Sequence, residues 1–336
     1  MTGKILIIIA CILFGSTLSA QTGVTHHTHF SQYMGNQEWG YNIYLPPGYD
    51  SSTERYPVIY NFNCMGGDEH TQISMADKLN NDIESNNVPP MIMVFPNGGS
   101  QSFYIDDYNA GLKVESYIVK EFIPYIDQTY RTISSRNGRG TTGFSMGGWG
   151  ALKFALKYPD IFCSSVPICP VNAFDAPAPE GDMSQFVAMY GPAAKGLVGL
   201  RMIGGADDTY SKPVLEATSA ALTELNYEHV YISVPNLGHD FTTIDSQYGT
   251  ENNQFHAANF NASGTPDPTP VSMTPGDTNG DGGIDIIDAL LVAQYYVGLP
   301  VNIDTSAADT NCDGSVTITD ALLIGQYYVG LITQFC

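Results

Sequence analysis

Between residues 56 and 260, short apolar runs alternate with longer stretches whose apolar positions recur at helical spacing. "YPVIYNFN" (56–63), "MIMVFPN" (91–97), "GTTGFS" (140–145), "SSVPICP" (164–170), "LRMIGG" (200–205) and "HVYISVP" (229–235) read as strands. Between them, "LKVESYIVKEFIPYIDQTY" sets Val114, Tyr117, Ile118, Phe122 and Tyr125 on one stripe, and "GGWGALKFALKYP" reads as a helix closed by Pro159. Strands alternating with helices predict an α/β fold on a mainly parallel sheet. The periodicity stops at 261–275, where prolines among Ser, Thr and Gly predict a semi-rigid linker. Beyond it, "DTNGDGGIDIIDALLVAQYYVG" (277–298) returns as "DTNCDGSVTITDALLIGQYYVG" (309–330), a repeat offset by 32 residues. At the other end, a lysine, an apolar run from Ile5 to Phe14 and small residues up to Ala20 predict a secretory signal peptide, too short to anchor in a bilayer. The expected organisation is a signal peptide at 1–20, an α/β domain at 21–260, the linker at 261–275 and a small domain at 276–336.

Charge narrows the partners. The chain carries 13 Lys and Arg against 34 Asp and Glu, a net charge of −21. Nucleic acid and anionic membranes need clustered basic residues, so neutral polymers or cations fit better. Five cysteines follow the signal segment, an odd number. Cys312 with Cys336 and Cys163 with Cys169 are both open as pairs, and none shows metal-site spacing.

"GFSMGGWG" (143–150) places Ser145 between a strand and a helix, the context in which G-x-S-x-G forms a nucleophile elbow. A serine nucleophile needs a base, a group that orients the base, and donors for the oxyanion. In an α/β-hydrolase sheet the order is serine, acid, histidine, each after a later strand. Here "LRMIGG" leads into Asp207 and Asp208, and "HVYISVP" leads into His239. Asp207, first after its strand, is the expected acid, with Asp208 as the alternative. Met146 and either Cys64 or Met65 are the expected oxyanion donors through their backbone N–H groups. The loop at 98–111 carries Phe103, Tyr104 and Tyr108, which either hold a flat phenolic ring or pack as core. No cofactor is expected for catalysis.

Each copy of the tail repeat opens with oxygen-bearing residues at the spacing of a calcium loop. Asp277, Asn279, Asp281, Asp285 and Asp288 take positions 1, 3, 5, 9 and 12 of the first, with the Gly283 carbonyl at 7. Asp309, Asn311, Asp313, Thr317 and Asp320 do so in the second, with the Ser315 carbonyl at 7. Two Ca2+ ions are therefore expected. The segment has no Lys or Arg, so without metal its carboxylates repel, and binding should be coupled to folding.

The stretches "YPVIYNFNCMGGDE", "MIMVFPNGG", "GRGTTGFSMGGWGALKFALKYPDIF" and "GHDF" make residues 28–257 resemble the family-1 carbohydrate esterases, which include feruloyl and acetylxylan esterases. The resemblance implies a triad of Ser145, Asp207 and His239 acting on an ester of plant cell-wall xylan, feruloyl first and acetyl next. One departure is Asn63-Cys64 where the family usually has histidine-glycine. The duplicated loop-helix resembles a type I dockerin, which implies a cohesin partner on a scaffold protein and an extracellular, cellulosome-bound enzyme. At the positions that meet cohesin in that family stand Ile286-Ile287 and Ile318-Thr319, with Ala293-Gln294 and Gly325-Gln326 where basic residues are common. A large domain that only binds carbohydrate, and a tail that is only an intramolecular calcium clamp, are the competing readings.

Overall fold

The computed structural model describes residues 23–108, 111–173, 175–260, 274–278, 283–298, 303 and 305–336. The expected signal peptide, nearly all of the linker, and the candidate ligands Asn279 and Asp281 lie outside these. The chain packs as two units, Met1–Ser263 and Gly264–Cys336.

The first unit is built on an eight-stranded sheet: β1 (Val24–Ser31), β2 (Gln37–Tyr44), β3 (Val58–Phe62), β4 (Ile92–Pro96), β5 (Arg139–Phe144), β6 (Ser164–Ile168), β7 (Gly199–Gly205) and β8 (Val230–Val234). Their order is β1-β2-β4-β3-β5-β6-β7-β8. From β4 to β8 all pairs are parallel, whereas β1 with β2 and β2 with β4 are antiparallel. The central strands β3 to β6 are buried along their whole length, as parallel strands covered on both faces must be. Sequence pattern finds those strands and misses β1 and β2. β1, "VTHHTHFS", is an edge strand, mostly exposed, so nothing forces an apolar alternation on it.

Around the sheet lie α1 (Ser74–Glu84), then α2 (Val114–Ser116), which passes through a π-helical turn (Tyr117–Phe122) into α3 (Ile123–Thr129). α4 (Met146–Lys157), α5 (Met183–Ala194), α6 (Lys212–Glu224) and α7 (Phe241–Asn259) follow. Side chains two apart on a strand share a face. Tyr60 and Phe62 therefore join Trp149, Phe154, Phe122 and Phe186 on one side of the sheet. Ile59 joins Met75, Leu79, Phe144 and Ile244 on the other, under α1 and α7. Each such large apolar side chain contributes roughly 1.5–3 kcal/mol by leaving water.

The second unit holds α8 (Ile286–Tyr296), α9 (Thr305–Ala308) and α10 (Ile318–Tyr328). Two capping boxes start its long helices, Asp285 with Asp288 and Thr317 with Asp320. Its core is Ala289, Val292, Ala308, Ala321 and Ile324, and Cys312–Cys336 is a disulfide. Cys64, Cys163 and Cys169 are buried and form no disulfide, so the alternative Cys163–Cys169 pair is not formed.

Candidate active site

Ser145 sits at the junction of β5 and α4 with φ 59° and ψ −117°, a backbone region that costs a non-glycine residue about 1–3 kcal/mol. Hydrogen bonds hold it there. Its N–H donates to the Ile168 carbonyl (3.0 Å), and its carbonyl accepts from Trp149 (3.0 Å) and Val171 (3.2 Å). The glycines around it serve close approach. A Cβ on Gly147 would lie 1.9 Å from the Phe62 carbonyl oxygen, and one on Gly143 would lie 2.6 Å from the Gly147 backbone. Bare backbone at both positions seats the first turn of α4 against the end of β3, where the expected oxyanion loop begins.

Of the two adjacent aspartates, the structure brings Asp208 to the histidine, which corrects the expectation of Asp207. Asp208 is buried, and His239 Nδ1 lies 2.6 Å from its Oδ2. Its other contacts are the Tyr210 and Ser211 N–H groups at 2.9 and 3.1 Å and the Ser211 hydroxyl. Burial alone would raise its pKa; the hydrogen bonds from His239 and Ser211 outweigh that and hold it well below the usual carboxylate range. Asp207 is exposed, because its N–H is fixed to the Leu237 carbonyl (2.9 Å) and the turn sends the next residue inward. The His239 ring packs on Phe144, the residue before the serine, with centroids 4.5 Å apart. Ser145 Oγ and His239 Nε2 are both buried and make no hydrogen bond, and such contacts often tighten only with substrate bound. Cys169, which the sequence offered only as a disulfide partner, lies beside this pair. Burial and the nearby Asp208 carboxylate push its thiol up to about 12, which keeps it neutral.

Asn63, the departure noted above, is a brace. Its amide nitrogen donates to the carbonyls of Cys64 (3.1 Å), Gly67 (3.2 Å) and Gly99 (3.1 Å). Its oxygen accepts from the Gly98 N–H (2.8 Å) and the Tyr104 hydroxyl (3.0 Å). One side chain thus ties the loop bearing Cys64 and Met65 to the loop at 98–104. That use of Tyr104 removes it from the candidate substrate contacts: it is 0% exposed, under a carbonyl that accepts from the buried Lys153 (2.8 Å). Lys153 in turn pairs with Glu115 at 2.6 Å. Phe103 is also buried, edge-on to Tyr108 at 5.4 Å, and Tyr108 alone of the three is half-buried. The other buried histidine, His256, is structural. Its Nδ1 meets the Ser164 hydroxyl at 2.9 Å, and burial lowers its pKa to about 3.

In the small unit, the second loop is described in full. The Asp313 and Gly314 N–H groups donate to Asp309 (3.1 and 2.9 Å), and that of Ser315 to Asp313 (2.9 Å). Asp320, fully buried, accepts from the N–H groups of Thr310 (3.0 Å), Asn311 (3.2 Å) and Thr317 (2.9 Å). Asp288 repeats this with Thr278 (2.8 Å) and Asp285 (2.9 Å). Thr278 and Thr310, at position 2 of each loop, are partners that the ligand spacing did not reveal. Hard oxygen donors around a loop turned at Gly314 (φ 85°), with a buried carboxylate at position 12, fit Ca2+.

Comparisons with known proteins agree on both units. The sequence profile of the family described as "Putative esterase" matches residues 31–248, and that of the dockerin type I domain matches 275–327. An esterase of Mycobacterium tuberculosis is 35% identical over 130 residues, 38% of this chain and 28% of its own length. Endo-1,4-beta-xylanase Y of Acetivibrio thermocellus is 31% identical over 143 residues, 36% of this chain and 12% of the xylanase. The chain thus spans about a quarter, or less, of these relatives. The structure of a ferulic acid esterase from Anaeromyces mucronatus shares the fold with a TM-score of 0.58 at 19% identity, over 70% of this chain and 91% of that one.

Proposed function

The chain belongs to the esterase family and carries a type I dockerin domain, and on that premise we propose that it is a secreted serine carboxylic-ester hydrolase acting on feruloyl esters of plant cell-wall xylan. The observation that carries the reaction is the buried Asp208 paired with His239, whose part-buried ring packs on Phe144, the neighbour of a strained, buried Ser145. His239 takes the proton of Ser145 as its oxygen attacks the acyl carbonyl, and Asp208 fixes the ring and stabilises the imidazolium. The N–H groups of Met146 and of Cys64 or Met65 receive the oxyanion. The sugar hydroxyl leaves with the proton from His239, and water, deprotonated by His239, releases the carboxylic acid. Ser145→Ala should lower kcat/KM on methyl ferulate by more than about 10^4-fold without changing the melting temperature by more than a few degrees. Retained hydrolysis would leave the large unit a carbohydrate-binding module.

The feruloyl assignment is supported by the ferulic acid esterase and xylanase names among the similar proteins. The burial of Phe103 and Tyr104 favours the second reading, an acetyl group, since only Tyr108 is left to meet a ring. Methyl ferulate and acetylated xylan assayed side by side decide between them.

For the tail, we infer two Ca2+ ions, held by Asp277, Asn279, Asp281, Asp285, Asp288 and the Gly283 carbonyl, and by Asp309, Asn311, Asp313, Thr317, Asp320 and the Ser315 carbonyl. Ile286, Ile287 and Leu290 are exposed, and so are their counterparts Ile318, Thr319 and Leu322. This repeated apolar face is the proposed contact for a cohesin module, which would place the enzyme outside the cell on a scaffold. Among the described residues no helix is long and apolar enough to cross a membrane. Capture by cohesin in Ca2+, lost in chelator, is the expected result; no capture in either condition would leave the tail an intramolecular clamp.

A further inference from the structure

Away from the serine, three side chains from two segments converge on one point. β1 supplies His26, and the loop after β3 supplies Glu69 and His70. His26 Nε2 lies 3.1 Å and His70 Nε2 3.7 Å from Glu69 Oε1, and the three atoms all fall within 4.8 Å of one another. The two imidazoles stack with centroids 5.2 Å apart. Glu69 is only 8% exposed, and its other oxygen accepts from the Asn97 amide at 2.6 Å. A Cβ on Gly40 would stand 2.0 Å from Oε1, so the bare backbone of β2 forms the floor of this cluster. A buried carboxylate is ordinarily paired with a cation or bound to a metal. Among the described residues, Glu69 has no Lys or Arg ion pair; its ionic partners are the two histidines, which are charged only when protonated.

We propose that His26, Glu69 and His70 form a binding site for a divalent transition cation of the Zn2+ type. Two imidazole nitrogens and one carboxylate oxygen are a zinc donor set, with bonds of about 2.0–2.2 Å and a fourth, open position for water. Tetrahedral bonds of that length set ligand atoms about 3.3 Å apart, between the two separations to Glu69. Closing the site takes only a small turn of the two histidines, both of which are exposed. The Asn42 amide nitrogen is 3.0 Å from His70 Nδ1. The same Asn42 nitrogen donates to the Glu69 carbonyl (3.0 Å) and stays where it is; with Nε2 on the metal, the proton sits on Nδ1, and the turn of the His70 ring carries Nδ1–H away from the amide. The ion clasps the edge strand β1 to the loop that begins with Cys64 and Met65. Its role is to fix that loop, and it takes no part in the bond making at Ser145.

The test uses the tag-free full chain, with Ca2+ present throughout so that the tail loops do not take up the probe. Titration with ZnCl2 should show an equivalent of Zn2+ whose affinity drops at least tenfold in His26→Ala, in Glu69→Gln and in Gly40→Ala. Co2+ in its place should give the intense visible bands of a tetrahedral site, absent in His26→Ala. At a hundred times Kd, Zn2+ should raise the melting temperature of the large unit by about 5–10 °C, with no rise in His26→Ala. His26 is exposed on an edge strand, so that variant reports on a folded protein. Unchanged Zn2+ affinity and stoichiometry in a His26→Ala, His70→Ala double variant would overturn the proposal, as would no binding by the wild type at micromolar Zn2+.

Discussion

The two units solve the same problem with different means. The large one covers both faces of its sheet and buries charged side chains as pairs, among them Lys153 with Glu115 and Arg139 with Asp127. Such a core can absorb a strained serine and a desolvated Asp208–His239 pair. Among the described residues, the small one has a core cluster of five buried apolar residues, a disulfide, and large apolar side chains left outside. A single core of that size rarely supplies more than about 3–5 kcal/mol, so the cross-link matters here, and the proposed Ca2+ ions would add to it. Buried carboxylates accordingly have different partners in the two units: Asp208 meets a histidine from a distant loop, whereas Asp288 and Asp320 accept from backbone N–H groups of their own loops.

The contrast can be broken at several points. The largest effect is expected at the acid: Asp208→Asn should reduce kcat by about 10^3–10^4-fold, and Asp207→Asn by less than twofold. Steady-state kinetics of the two variants checks this, and the reverse result would return the acid to Asp207. Next, removing Ca2+ with chelator should abolish the calorimetric transition of the small unit and leave that of the large unit and its hydrolysis unchanged. A small-unit transition that survives chelation would show that its core suffices. Reduction of Cys312–Cys336 should destabilise the small unit alone, by about 3 kcal/mol for a loop of this length. Denaturant titration of the isolated transition measures it.

The most gradual effect, spread over several pH units, lies in the large unit. His256 is held neutral with a pKa of about 3, while the unfolded chain takes up that proton near 6.5. Stability from His256 is full above pH 6.5 and is lost as the pH falls toward 3, by about 1 kcal/mol per unit. Relative to His256→Gln, the wild type should lose stability more steeply over that window, as read from urea midpoints at successive pH values. Parallel slopes would show that His256 does not titrate between the folded and unfolded states.

Much of this molecule is written locally. The central strands are continuous apolar runs, the elbow is a short motif between a strand and a helix, and the tail repeats its oxygen donors at fixed intervals. β1 was not legible, because an exposed edge imposes no alternation on its side chains, and β2 goes from an exposed first half to a second half buried on both faces, so it shows no single period either. Whether Tyr104 meets a substrate ring or packs inward stayed open in the sequence, and the Asn63 brace shows why it turns inward.

Sequence by itself determined the order of serine, acid and histidine along the chain, the division into a large and a small unit's worth of pattern, and the spacing of the calcium loops. All of these depend on residues close in sequence. Tertiary structure alone decided that Asp208 rather than its neighbour meets His239, and that His26 meets Glu69 and His70. Adjacent aspartates are chemically the same, and which one enters the core follows from the hydrogen bond that the Asp207 N–H donates to the Leu237 carbonyl. Contacts between distant segments exist only once the sheet has set its strands side by side.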